Sequence, residues 1–460
     1  MTLTFQIRNG VQWSDGTPFT AADVAFTLNL LKDNPSINLA NVKFATATAS
    51  GSTVTVTFTS PGYTLFYNLA NSYIVPQHIW SSTGNPATFT NTDPVGTGPY
   101  LLKDSSVQRI SLVKNPHYWQ PGLPKVAGLN YVTFDSNTSA NLALEQGQLD
   151  WASNFVPEVR SLYVAKDPVH NHYWFPPLRT YGLVLNITQP PFGNVLVRQA
   201  ISDALDRQQI VAAGEQSEQP AAVSPTGLAL PTEAQYLAPQ YKNLRYTQNI
   251  AQAKALLEKA GYHMSNGAMV NATGQPLAFS MMVPGSFTDT TTDLQVIAQQ
   301  LNAIGISASI DSVSISTWAV DLLTGKFQVT FGNGGALLSS FDPSPFPWYN
   351  EGLNYALSAP IGSVASSDQE RWNDPATSAL LAQYANAQTD AQRQSALYGL
   401  EQIQVTQSPT VPFAESVAWS EYSTAKVTGW PSATNPYTIA SPVGPSAEYV
   451  LLHLRPVGNS

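Results

Sequence analysis

Residues 277–333 read LAFSMMVPGSFTDTTTDLQVIAQQLNAIGISASIDSVSISTWAVDLLTGKFQVTFGN, and the hydrophobic period switches repeatedly along them. LAFSMMV (277–283) is a short apolar run of strand length. TTTDLQVIAQQLNAIG (290–305) repeats at helical spacing, with Leu294, Ile297, Ala298, Leu301 and Ile304 on one face and Gly305 where the helix should stop. ISASI (306–310) is again a strand, ISTWAVDLLTG (315–325) a short helix and FQVTFGN (327–333) a third strand. Strand–helix alternation of this kind predicts a parallel sheet with right-handed crossovers. Ligands of open α/β sheets sit beyond the carboxyl ends of the strands. The loops expected there are Pro284–Asp289 and Gly332–Asp342.

Two amphipathic helices precede this block. NVLVRQAISDALDRQQIV (194–211) aligns Val197, Ala200, Ile201, Ala204 and Leu205. YTQNIAQAKALLEKAGY (246–262) aligns Ile250, Ala253, Leu256, Leu257 and Ala260, with Asn249 as N-cap and Gly261 as stop. At the amino end, TLTFQIRNG alternates as a strand. Thr20 is placed to cap a helix with Asp23 three residues on and Val24, Leu28 and Leu31 on one face, and STVTVTFTS (52–60) alternates again. DPVGTGPY (93–100) is glycine-rich, but Pro99 has no N–H, no lysine is present and a strand pattern follows. It reads as a turn admitting the chain into a new sheet, not as a phosphate cradle.

The 460 residues are too many for one ordinary core. Only 11% are charged and the net charge is -9, so no basic stripe exists to bind nucleic acid. Cysteine is absent, which removes disulfides, thiolate metal sites and cysteine nucleophiles. No run of 18 apolar residues is present, and Met1 leads straight into the first strand without a signal peptide. The chain is therefore expected to lack its leader.

No nucleophile–base motif, zinc motif, Walker loop or calcium loop is found. Ser423 and Lys426 form an S-x-x-K match without companions. His170 and His172 share a strand face but have no third ligand nearby, and Glu145 and Asp150 are explained by solvation at a helix end. No catalytic residue, metal or cofactor is expected. Trp318, at helical spacing with Leu322, reads as core; Trp348, in the Pro-rich stretch FDPSPFPWYN, reads as a ligand platform on a loop.

Six motifs come in one order: FQIRNGVQWSDGTPFTAADVAFTL, DPVGTGPY, LVKNPHYWQPGLPKVAGLNYVTF, LALEQGQLDWA, PPFGNVLVRQAISDALDRQQIV and AQAKALLEKAGY. Together they resemble the large substrate-binding proteins of peptide-type ABC importers (solute-binding protein family 5), which also serve nickel, oligosaccharides and other solutes. The match runs from residue 2 to about residue 455, and several tens of residues of the family's amino-terminal part are missing. The resemblance implies an α/β fold of the periplasmic-binding-protein type. It is a two-lobe clamshell of mixed sheets flanked by helices, with an additional small domain. The expected division is 1–92 for the small domain, 93–230 with 431–460 for the first lobe and 231–430 for the second. It also implies an extracytoplasmic, monomeric receptor that encloses a solute and delivers it to an ABC permease, with no chemistry on the solute. The alternatives are a secreted hydrolase or a signalling module on the same fold.

In peptide-binding relatives an aspartate just before an acidic-Pro pair neutralises the peptide amine. The pair here is Asp342-Pro343, and Ser339 stands three residues earlier. An arginine that meets the peptide carboxylate in dipeptide-binding members falls at Pro284. Burying a peptide terminus without its counter-charge costs several kcal/mol. A zwitterionic dipeptide is disfavoured, and an uncharged polyhydroxylated ligand or a longer peptide held by its main chain is favoured. The candidate ligand-binding residues are Pro284, Gly285, Ser286 and Phe287 in the first loop, Asn333, Gly334, Ser339, Phe341 and Asp342 in the second, and Trp348.

Overall fold

A computed structural model describes all residues except 39–42, 59–61, 63, 71, 333–342, 366 and 459–460. The chain forms two compact units. One comprises residues 1–134, 385–388 and 423–460, the other residues 135–384 and 389–422.

In the first unit, β1 (Thr2–Gln6), β2 (Thr46–Ser50) and β3 (Thr53–Thr57) form an antiparallel sheet in the order β1-β3-β2. The alternation of TVTVT sends Val54 and Val56 to a face from which water is excluded. Helix α1 (Ala21–Asp33) covers that face through Ala21 and Leu28, joined by Phe44, Ala47 and Phe58. Its buried stripe runs through Ala21, Ala25 and Leu28, and Val24 is only partly covered. Thr20 and Asp23 form the expected capping box, with the Thr20 N–H donating to Asp23 Oδ2 at 2.8 Å. The 93–100 turn is fastened by Ser14, whose N–H donates to the Gly96 carbonyl at 3.0 Å. As Pro99 implies, a strand follows it. β4 (Tyr100–Ser105), β5 (Arg109–Lys114) and β6 (Gly128–Val132) make a second antiparallel sheet in chain order.

The second unit is built on β7 (Pro177–Leu185), β8 (Ala278–Pro284), β9 (Ser307–Val313), β10 (Val329–Gly332) and β11 (Thr410–Val417), arranged β9-β8-β10-β7-β11. β8 pairs in parallel with β9 (Ala278 opposite Ser307) and with β10 (Met281 opposite Val329), as the alternating pattern predicts. β7 and β11 run antiparallel to their neighbours. Helices α2 (Val195–Ala204), α3 (Arg207–Gly214), α4 (Ile250–Lys259) and α5 (Thr288–Asn302) bury Val197, Ile201, Ile210, Leu257, Leu294, Ile297 and Leu301 in one core with the sheet. Asn249 caps α4 by accepting from the Gln252 N–H at 3.0 Å. α6 (Ile315–Thr324) is the second crossover helix. The division expected after residue 230 runs through this unit, because β7 from before it and β8 from after it lie in one sheet.

A close approach fixes the β7–β11 edge. β11 bulges between Pro412 and Ala414, and a Cβ on Gly182 would lie 2.6 Å from the Val411 carbonyl oxygen.

The Pro-rich stretch around Trp348 differs from its sequence reading. It forms α7 (Phe346–Leu353), with Pro345 as N-cap and Pro347 in the first turn. First-turn N–H groups have no intrahelical partner, so proline there removes no bond and presets φ; here it begins a helix where a loop was expected.

Candidate functional site

β8 ends at Pro284, which is buried. The chain then turns sharply: the Gly285 N–H donates to the Val313 carbonyl at 3.1 Å and the Phe287 N–H to the Pro284 carbonyl at 3.0 Å. Gly285 is exposed, Ser286 is half-buried, and Phe287 is the N-cap of α5. The turn thus stands where an open α/β sheet offers a ligand site, with α5 beginning immediately behind it.

Below the turn lies an aromatic group. Trp318 stacks on Phe331 with centroids 5.1 Å apart and 10° between planes, and Phe287 packs 6.2 Å from Trp318. Trp318 Nε1 donates to Thr330 Oγ1 at 2.9 Å, and that hydroxyl donates to the Met282 carbonyl at 2.8 Å. Trp318 is therefore held in the packing, in agreement with its helical spacing.

The first turns of α5 carry charge into the fold. Asn137 Nδ2 donates to Asp289 Oδ1 at 3.2 Å, and burial raises the Asp289 carboxyl above its ordinary pKa. The Tyr181 and Thr290 hydroxyls bond at 3.1 Å. One turn deeper, Asp293 is fully buried against Gly214, with the carboxyl of Glu215, also fully buried, as its charged neighbour. Desolvation raises both carboxyls, because two adjacent carboxylates cannot both ionise in a dry site. The direction of both shifts favours a shared proton over two charges at this spot. Sequence reading missed this pair, although Asp293 falls four residues before Ile297 on the buried stripe of α5, where a charged residue is anomalous.

Trp348 is 7% exposed and its indole Nε1 donates to the Thr180 carbonyl at 3.1 Å. Its ring lies over Gly227, where a Cβ would come within 2.5 Å of it. Beside it Tyr349 donates to the Thr226 carbonyl, and Arg179 pairs with Glu233 at 3.0 Å. Asn333, Gly334, Ser339, Phe341 and Asp342 lie outside the described residues. Of the sequence candidates, the structure places Pro284, Gly285, Ser286 and Phe287 together at the carboxyl end of β8, and Trp348 in the packed interior of the second unit. Among the described residues no group of three metal-ligating side chains converges, and His170 Nδ1 lies 2.8 Å from Asp167 Oδ2.

Residues 1–355 match the model of bacterial extracellular solute-binding proteins, family 5 Middle. The chain belongs to this family. Its α/β fold is that of the periplasmic-binding-protein type, as the six motifs implied. A mannohexaose-bound periplasmic oligopeptide-binding protein of an oligopeptide ABC transporter from Thermotoga maritima superposes with a TM-score of 0.89 and 25% identity, over 100% of this chain and 88% of that one. An oligopeptide-binding protein of Bacillus subtilis in complex with a nonapeptide has the same fold, at a TM-score of 0.77 and 18% identity over 99% of this chain and 87% of that one. The glutathione-binding protein GsiB of Salmonella typhimurium is 29% identical over 344 residues, which are 72% of this chain and 62% of that protein. The chain thus spans less than two thirds of the curated relatives it matches. These relatives are named as binding proteins, not enzymes. Among the described residues no helix is long and apolar enough to cross a membrane.

Proposed function

We propose that this family 5 chain is the solute receptor of an ABC importer. It captures an extracytoplasmic oligosaccharide or oligopeptide-like solute, as a monomer, and hands it unchanged to a membrane permease. The turn Pro284–Phe287 at the carboxyl end of the parallel strands is the observation that carries this reading. It offers the half-buried Ser286 hydroxyl, the Ser312 hydroxyl lies against Gly285 beside it, and no charged side chain stands within the turn. Asn333, Gly334, Ser339, Phe341 and Asp342 complete the proposed site by sequence, and Trp348 supports it from within the fold. Proline at 284 and serine at 339 leave the charged ends of a free dipeptide without partners, so a neutral-ended ligand binds best. A mannohexaose-bound structure and a nonapeptide-bound structure among the relatives are consistent with both classes.

The test is thermal stability against mannohexaose, amidated and acetylated oligopeptides, glutathione and free dipeptides. A ligand at about a hundredfold excess over Kd should stabilise the chain by about 2.7 kcal/mol. Stabilisation by hexasaccharide or neutral-ended peptide is expected, with mass spectrometry recovering the ligand intact. Stabilisation by free dipeptides alone overturns the anchor argument, and a chemically altered ligand overturns the receptor reading.

A further inference from the structure

Away from the β8 turn, an open hollow of about 620 Å³ is lined by Arg160, Val164, Tyr173, Trp174, Phe175 and Glu218. Three consecutive aromatic side chains, Tyr173, Trp174 and Phe175, remain half-exposed there. They are held in place: the Trp174 N–H donates to the Ser420 carbonyl at 2.9 Å, and Phe175 meets Trp419 edge-on at 4.7 Å. Tyr173 and Phe175 also pack against the cluster of Leu144, Ala152, Val156, Val159 and Tyr163, yet all three rings keep part of their surface open to the hollow.

The polar groups are equally unspent. The Arg160 guanidinium sits 5.9 Å from the Tyr173 ring centre. Among the described residues, neither that guanidinium, the Glu218 carboxylate nor the Trp174 indole N–H has a hydrogen-bond or ion-pair partner. The backbone that presents the two charges is strained. Glu158, Gln216 and Ser217 adopt φ of 46°, 52° and 64°, and the Glu158 N–H is tied to Gln216 Oε1. Left-handed non-glycine residues persist only where the surroundings enforce them, and they gather at ligand sites. Here three of them flank one hollow, on the two segments that carry Arg160 and Glu218.

We propose that this hollow is a carbohydrate-binding subsite. A pyranose ring lays its C–H face on the aromatic floor, while adjacent hydroxyls accept from Arg160 and the Trp174 indole and donate to Glu218. A neutral diol uses both charges at once. A peptide terminus would use one, and an ion pair at an exposed arginine contributes little. The inference rests on the receptor reading above and specifies its solute.

Calorimetric titration of the full chain with mannohexaose and with cellohexaose tests this, alongside Trp174→Ala, Arg160→Ala and Glu218→Ala. Trp174→Ala should weaken hexasaccharide binding about tenfold or more, since a stacked ring contributes on that scale. The two charge variants should each weaken it about three- to tenfold. Arg160 is exposed and Glu218 half-buried, so their circular dichroism and melting should match the parent even if Trp174→Ala folds poorly. Hexasaccharide binding that all folded variants retain overturns the subsite and leaves the receptor reading standing. Binding of peptides alone, lost in Arg160→Ala, overturns the carbohydrate assignment in favour of a terminus-binding site. A parent chain that binds neither sugar nor peptide defeats both proposals.

Discussion

The two units bury polar groups by different means. In the first, the buried polar side chains of α1 and of the 93–115 turn have donors or acceptors matched to them, and among the described residues only the Trp13 indole N–H lacks one. Asp23 accepts from the Thr20 and Gln77 N–H groups, the Thr27 hydroxyl donates to the Asp23 carbonyl, and Asn115 donates to the Gly98 carbonyl. In the second, carboxyls are taken out of water with too few donors: oxygens of Glu215, Asp293, Asp368, Glu370 and Glu421 have no partner among the described residues. A carboxyl in that position is kept by holding its proton. The α1 region therefore depends on geometry, and the second unit, with its cluster of unpartnered carboxyls, depends on geometry and far more strongly on pH.

The largest effect should come from the backbone of the second unit. Gly182→Val drives a branched side chain into the Val411 carbonyl and the Pro412 ring at the β11 bulge, and neither can move as a flexible side chain would. The expected loss is about 4 kcal/mol or more, above the usual ~1–3 kcal/mol of overpacking because the facing atoms are backbone. Hydrogen exchange should show β7 and β11 unprotected while β1–β3 keep their protection. Collapse of both units together would show that they are one cooperative body and break the comparison.

Next comes Trp348→Ala, which removes a buried indole and leaves the Thr180 carbonyl without its donor. The cost should be about 3–5 kcal/mol by denaturant titration. A loss below about 1 kcal/mol would return Trp348 to the role of an exposed platform.

The pH dependence sharpens the contrast. Desolvation raises Glu421 to about 8, Glu351 to about 8 and Asp368 to about 8. In the unfolded chain such groups ionise near 4. Between about pH 4.5 and 8 the unfolded state has therefore released protons that the folded state retains, so stability falls as pH rises across that window. Each such group would contribute up to about 5 kcal/mol across that window, read as melting temperature against pH at constant ionic strength. Glu421→Gln should flatten part of the slope, because a side chain that cannot ionise removes its share. A melting temperature that rises from pH 5 to pH 8 would refute the protonated state of these groups.

Legibility in the sequence followed the same divide. Periodicity disclosed the β8–α5–β9–α6–β10 crossover block and the Thr20 cap, because those features are local: side chains and partners lie within a few residues. Trp348 stands in a helix where its run of prolines suggests a loop, because Pro347 sits where a helix needs no N–H. The boundary after residue 230 failed to follow the sheet because β7 is joined to β8 only through β10, about 150 residues later in the chain. The Glu215–Asp293 pair and the Arg160–Trp174–Glu218 hollow each unite residues distant in sequence, so no spacing rule could assemble them. Two local signals were available in retrospect, a charged residue on an apolar stripe and three aromatics in succession.

The smallest expected effect lies in the first unit and tests its half of the comparison. Thr20→Ala removes the side chain that shares the α1 capping box with Asp23. The loss should be about 1 kcal/mol, the usual contribution of such a cap. Asp23 keeps its bonds from the Thr20 and Gln77 main-chain N–H groups, so its carboxylate remains satisfied. The loss should therefore be the same at pH 5 and at pH 8, unlike that caused by altering a protonated acid of the second unit. A Thr20→Ala penalty that grows with pH would mean that α1 is coupled to the titrating carboxyls, and the two units would then not bury their polar groups independently.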